Sequence, residues 1–146
     1  MKRISKSILI QASCEEVFSY ASDYRKWKDW FVGVSNVRPT TEKTTGNGAR
    51  YAYKVRMMMF PVGVETEISD FVINKGWKGK ATKGTPHQTQ WIFETVESGT
   101  NFTYVLDYDI PVPILGSLLD RLILRPQWNK IVENSLRNLK HNFQSK

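Results

Sequence analysis

The 146-residue sequence predicts an α+β fold: an antiparallel sheet of about seven strands, two short helices after the first strand, and a long C-terminal helix. Three observations predict it. Between Val34 and Ile110, apolar and polar residues alternate in runs joined by turns too short for parallel crossovers. From about residue 115 to 143, apolar residues recur every three or four positions. Just after the first alternating run, Ser13-Cys14-Glu15-Glu16 has the form of a capping box, in which Ser and Glu each satisfy a free backbone N–H.

Residues 1–10 read as a strand, with Ile4, Ile8 and Ile10 on one parity. The capping box opens a short helix that buries Val17, Phe18 and Ala21, and Ser22-Asp23 caps a further helical turn reaching Trp27 and Trp30. Thr44-Thr45-Gly46-Asn47-Gly48 is a turn. Residues 49–59 alternate, with Tyr51, Tyr53, Val55, Met57 and Met59 on one face, and Phe60-Pro61-Val62-Gly63 is expected to break that strand. The next strand covers 63–73, with a bulge expected near Asp70. Asn74-Lys75-Gly76 signals a hairpin and Gly84-Thr85-Pro86 a turn. Trp91 and Phe93 share a face on 87–97, and Phe102, Tyr104, Leu106, Tyr108 and Ile110 share one on 101–110. Pro111 and Pro113 end the sheet. Leu115, Leu118, Leu119 and Leu122 then form one apolar stripe, and Trp128, Val132, Leu136, Leu139 and Phe143 continue it. Pro126 lies between the two halves and should kink or split the helix.

Composition narrows the function classes. With 40% hydrophobic and 24% charged residues the chain is not disordered, and 1–146 is expected to form a single domain. Its formal net charge of +7 suits anionic partners such as lipid headgroups, nucleic acid or an acidic protein. Lys54 and Arg56, Glu65 and Glu67, and Lys78 and Lys80 fall at outward parity on successive strands, where cross-strand pairing would absorb part of that charge. The single Cys14 excludes an internal disulfide, and with only two His it argues against a His/Cys zinc site. No apolar run approaches the ~20 residues of a membrane span, and Ile8-Leu9-Ile10 is too short for a signal-peptide core. The expectation is a soluble cytoplasmic protein without metal or cofactor.

Several stretches carry a family likeness: Ala12–Phe18, Asp23–Trp30, Gly46-Asn47-Gly48-Ala49, Trp91-Ile92-Phe93 and Ile110–Gly116. With the element order, they make the chain similar to the START-like (SRPBCC) superfamily, in particular its small polyketide cyclase/dehydrase-type members. The resemblance implies the helix-grip fold, in which a curved sheet wraps the long helix and leaves an apolar cavity with a mouth at the sheet's end. The superfamily includes lipid carriers, hormone receptors, cyclases and hydroxylase domains, so the likeness implies fold more sharply than activity.

Five Trp, six Tyr and seven Phe supply the wall of such a cavity. The candidate ligand-binding residues on the sheet are Tyr51, Tyr53, Met57, Met59, Trp77, Trp91, Phe93, Tyr104, Leu106 and Tyr108. Trp27 would flank the mouth, and Leu119 and Leu122 would face in from the C-terminal helix. This inward set holds no Asp, Glu, His, Cys, Lys or Arg, so it offers no ordinary general acid or base. His87 and His141 read as solvated, and Asp107 and Asp109 as an outward-facing pair. The favoured function is therefore binding or transport of a hydrophobic or amphipathic small molecule, a lipid or polycyclic aromatic, oriented by tyrosine hydroxyls. The alternative is a cyclase or dehydratase-like enzyme using cavity shape and those hydroxyls. Met57-Met58-Met59-Phe60, beside Lys54 and Arg56, suggests peripheral contact with an anionic membrane. Inward-facing aromatics weigh against nucleic acid.

Overall fold

The computed structural model describes residues 1–57, 60–109, 118 and 120–144. The elements run β1 (Lys2–Ile10), α1 (Cys14–Ala21), a 3-10 turn (Tyr24–Lys26), α2 (Trp27–Trp30), β2 (Val34–Pro39), β3 (Arg50–Met57), β4 (Phe60–Val72), β5 (Gly76–Lys83), β6 (His87–Val96) and β7 (Gly99–Tyr108). A π turn (Asp120–Leu124) then leads into α3 (Arg125–Gln144). The strands form one antiparallel sheet in the order β1-β7-β6-β5-β4-β3-β2. That arrangement, with the long helix packed across it, is the predicted helix-grip architecture.

Both N-caps form, the capping box through its Ser13 half. Ser13 Oγ accepts from the Glu16 N–H at 3.2 Å, and Asp23 Oδ1 accepts from the Arg25 N–H at 3.0 Å. These caps fix where α1 and the 3-10 turn begin, so Val17, Phe18 and Ala21, then Trp27 and Trp30, face the sheet and are buried. α3 is tied to the end of α2 and to the residues just after it, Asn138 Nδ2 donating to the Trp30 carbonyl at 3.2 Å. Ser135 Oγ accepts from the Val32 N–H at 2.9 Å and donates to the Ile131 carbonyl at 2.7 Å. Val132, Leu136 and Leu139 are its buried stripe.

Register brings the apolar parities together. Trp77 lies opposite Trp91, Trp91 opposite Tyr104, and Phe93 opposite Phe102. The bulge expected near Asp70 is present: register shifts between Ser69 and Val72, and Asp70 takes a φ of 50°. A second shift, between Ser35 and Arg38, carries Asn36 at a φ of 54°.

Three expectations need correction. Phe60–Gly63 does not break a strand. β4 starts at Phe60, and Pro61 pairs with Arg56. β5 reaches only as far as Lys83, opposite Glu65, so residues 60–64 bond to β3 alone and the missing N–H of Pro61 costs nothing there. The outward charges also pair differently. Arg50, not Lys54 or Arg56, meets Glu67 at 2.9 Å, and Lys78 meets Asp70 at 3.4 Å. Finally, the stripe predicted through Leu118 and Leu122 faces outward, with Leu122 64% exposed. A π turn takes in an extra residue, which rotates Leu122 away from the core and brings Leu124 in, 3% exposed. Pro126 is the second residue of α3, directly after the π turn, so the change of helix geometry falls beside it.

Among the described residues no helix is long and apolar enough to cross a membrane. Gly76 opens β5 in close contact with β6: at its φ of 147° a Cβ would lie 2.0 Å from the Trp91 carbonyl oxygen. Gly76→Ala should therefore lower unfolding free energy by roughly 2–4 kcal/mol, measurable as a reduced urea midpoint.

Candidate ligand-binding cavity

The concave face of the sheet and the start of α3 enclose an apolar cavity. β3 contributes Tyr53 and Val55, β4 Val64, Thr66 and Ile68, β5 Trp77, β6 His87, Thr89 and Trp91, and β7 Tyr104, Leu106 and Tyr108. Trp27, Phe31 and Val34 close one side, and Leu124 and Trp128 the other. The water-accessible space is about 80 Å³. That admits a few waters but falls below the ~300 Å³ at which drug-sized ligand pockets begin. A polycyclic occupant would have to move wall side chains, and half-buried Phe31 and Trp128 are the mobile candidates by position.

The floor is indole. Trp77 and Trp91 stack with centroids 4.1 Å apart, and Trp27 lies 6.2 Å from Trp77 and 5.8 Å from Trp91. Trp27 Nε1–H donates to the Ala21 carbonyl at 2.9 Å and Trp77 Nε1–H to Ser22 Oγ at 3.1 Å. Both acceptors lie at the end of α1, so the helix and the floor position each other. Trp91 Nε1 and Trp30 Nε1 are buried with no hydrogen-bond partner.

Seven of the sequence-predicted site residues line this space: Trp27, Tyr53, Trp77, Trp91, Tyr104, Leu106 and Tyr108. Tyr51 and Phe93 lie elsewhere on the same concave face. Tyr51 packs between Tyr24 and Trp27, and its hydroxyl donates to the Thr44 carbonyl at 2.5 Å. Phe93 is stacked on Phe102 and edged by Phe18, because α1 covers that end of the sheet. Leu122 is on the outer surface for the π-turn reason given above. Met57 closes β3 opposite Phe60, while Met59 and Leu119 lie outside the described residues.

The inward face is less inert than the sequence suggested. His87, read as solvated, lines the cavity. Its parity with Thr89, Trp91 and Phe93 was the available signal; its place beside the Gly84–Pro86 turn obscured it. Nδ1 lies 2.8 Å from the Thr85 carbonyl, and Nε2 lies 3.3 Å from Thr66 Oγ1. Thr66 Oγ1 is in turn 2.8 Å from Tyr53 Oη. Burial lowers the His87 pKa from its usual value, against the opposing effect of the Thr85 bond. Burial raises the Tyr53 pKa, partly offset by Thr66, and raises Tyr104 well above the usual phenol range, with nearby Tyr53 adding to it.

The carboxylates do not behave as a pair. Asp107 faces outward and takes two bonds from Arg3, at 2.7 and 3.0 Å. Asp109 lies at the cavity rim instead, because β7 ends at Tyr108 and the alternation stops with it. Tyr108 donates to buried Asp120, which also meets Arg125 at 3.6 Å. Burial, then that bond, raises the Tyr108 pKa. Among the described residues no group of three His, Cys, Asp or Glu is placed to hold a metal.

A family model described as polyketide cyclase/dehydrase and lipid transport matches residues 1–144. The chain belongs to this START-like family. Solved structures share the fold at low identity. TTHA0849 from Thermus thermophilus is 22% identical with a TM-score of 0.81, covering 99% of this chain and 98% of its own. A START superfamily protein from Mycobacterium smegmatis is 16% identical with a TM-score of 0.75, covering 98% and 97%. CV1439 from Chromobacterium violaceum is 13% identical with a TM-score of 0.71, covering 97% and 96%. Among curated proteins, none matches the chain significantly.

The site makes a pH prediction. The folded His87 pKa is lowered, so between it and the usual value near 6.5 the unfolded chain binds more protons. The stabilisation from keeping this ring neutral is complete above that usual value and is lost as pH falls through the folded pKa. The drop in melting temperature on acidification from neutral pH should be smaller in His87→Gln than in the wild type.

Proposed function

We propose that this START-like protein binds or carries a hydrophobic or amphipathic small molecule in the cavity between sheet and C-terminal helix. The observation carrying this reading is the lining itself: stacked indoles and aliphatic side chains surround a few tyrosine, threonine and histidine groups. Burying apolar ligand surface at ~25 cal/mol per Å² would supply most of the affinity, and the hydroxyls would set orientation. The family description, which includes lipid transport, supports the same class of ligand. The ligand-contacting residues are taken to be Trp27, Tyr53, Trp77, Trp91, Tyr104, Leu106 and Tyr108.

Native mass spectrometry of the protein purified from cells should show a co-purified amphiphile. Leu106→Phe, which fills part of the space, should lose that species while keeping its melting temperature. A clean apo mass that stays unchanged after incubation with lipids and polycyclic aromatics would sink the proposal.

An anionic membrane is the proposed place of exchange. Leu118, Leu122 and Ile123 stand exposed beside Arg121 at the helix start, which adds to the Met57–Phe60 turn inferred from sequence. Leu122→Asp should reduce sedimentation with phosphatidylserine-containing vesicles, and unchanged sedimentation would remove this site.

A cyclase or dehydratase-like activity is the second reading, and His87 in the cavity is what favours it. A neutral imidazole could accept a proton through Thr66. Deuterium exchange at the α-carbon of 1-phenylbutane-1,3-dione tests this: enzyme-accelerated exchange lost in His87→Gln supports catalysis, and exchange at the buffer rate supports carriage.

A further inference from the structure

The polar groups of the cavity have a direction, and the Thr85 carbonyl sets it. A carbonyl can only accept, so His87 Nδ1, 2.8 Å away, must carry a proton. In the neutral ring Nε2 is then an acceptor, and Thr66 must donate to it. With its proton committed, Thr66 Oγ1 can only accept from Tyr53. The Tyr53 proton is therefore used inside the wall, and its oxygen is left with lone pairs alone. Tyr104 is the complement. It is 5% exposed and lines the same space, and among the described residues its hydroxyl meets no hydrogen-bond partner. One buried hydroxyl lacks a donor, and its neighbour lacks an acceptor.

Resting on the cavity reading above, we propose that the cavity selects a hydrophobic ligand bearing an uncharged hydroxyl, a phenol or alcohol, which accepts from Tyr104 and donates to Tyr53. Of these two hydroxyls, a ketone or ether can use the Tyr104 proton alone. A carboxylate is excluded by charge: no Lys or Arg is among the described lining residues, and Asp109 stands at the rim. The titratable groups facing His87 are Tyr53 on β3, Tyr104 and Tyr108 on β7, and Asp109 after it, with Asp120 and Arg125 behind Tyr108. β4 and β5 present Thr66, Ile68 and Trp77 on this side. Burial keeps the ring neutral at neutral pH, which holds the direction. Once the ring is charged, Nε2 becomes a donor, the chain reverses, and Tyr53 offers its proton to the cavity.

The test compares 2-naphthol with 2-methoxynaphthalene, followed by NMR titration at neutral pH. The wild type should bind 2-naphthol about tenfold more tightly, the scale of leaving a buried hydrogen-bonding group unmet. Tyr53→Phe should abolish the preference. Thr66→Val, which frees the Tyr53 proton to point into the cavity, should reduce it too and serves if Tyr53→Phe does not fold. Tyr104→Phe should weaken both ligands alike. Equal wild-type affinities would overturn the hydroxyl assignment while leaving the cavity reading intact. A preference that survives both Tyr53→Phe and Thr66→Val would overturn it as well, marking a steric origin. If neither compound binds, the cavity reading itself fails and this inference with it.

Discussion

The stack of Trp27, Trp77 and Trp91 is the constraint on which the rest depends. It joins the concave face of β5 and β6 to the first residue of α2. Rigid aromatic side chains contribute large buried area with few rotatable bonds. By occupying the centre of the face they fix where α2 sits on the sheet, and α3 in turn is held to α2 and α1 through Asn138 and Asn142. Gly76 makes the stack feasible, since only a residue without Cβ lets β5 approach the Trp91 carbonyl. Gly79 extends the same logic: a Cβ there would lie 2.7 Å from Thr89 Oγ1 and 2.8 Å from Thr66 Cγ2, both cavity-wall residues.

The polar part of the cavity follows from the same register. His87, Thr66 and Tyr53 come from three strands and meet because the inward parities of β3, β4 and β6 coincide across the sheet. Alternation points Tyr53 inward, but no local motif tells that it meets His87 through Thr66. Their distances rest on strand pairing that the indole floor holds in position. Function here lies in the small polar remainder of an otherwise apolar face.

Much of the fold was legible because its signals are local. The Ser13 and Asp23 caps, the alternation of β3 to β7 and the bulge at Asp70 are written in residues close in sequence. The site was legible only where parity alone decides, as at Trp77, Trp91, Tyr104 and Leu106. It failed where a longer-range fact intervenes. The π turn reverses the facing of Leu122 through one extra residue, which an apolar stripe cannot reveal. Tyr51 and Phe93 have the right parity but lie under helices, and coverage is a property of packing. His87 was legible in principle from its step with Trp91, and the neighbouring turn residues outweighed that signal. The modest size of the cavity depends on how Leu124 and Trp128 seat, which no pattern encodes.

The irregularity of β2 has a consequence for the protein in solution. An open sheet has two edges, and each presents unpaired backbone groups to any other chain. At one edge, β1 packs against α3, with Lys6 reaching Glu133 at 3.0 Å. At the other, β2 is six residues long, loses register at Asn36 and ends on Pro39, which has no N–H to offer. A second molecule laid along this edge would find too few groups in line to form a continuous ladder. The same kink that complicates the strand thus guards a sheet-rich protein against growing by edge-to-edge addition.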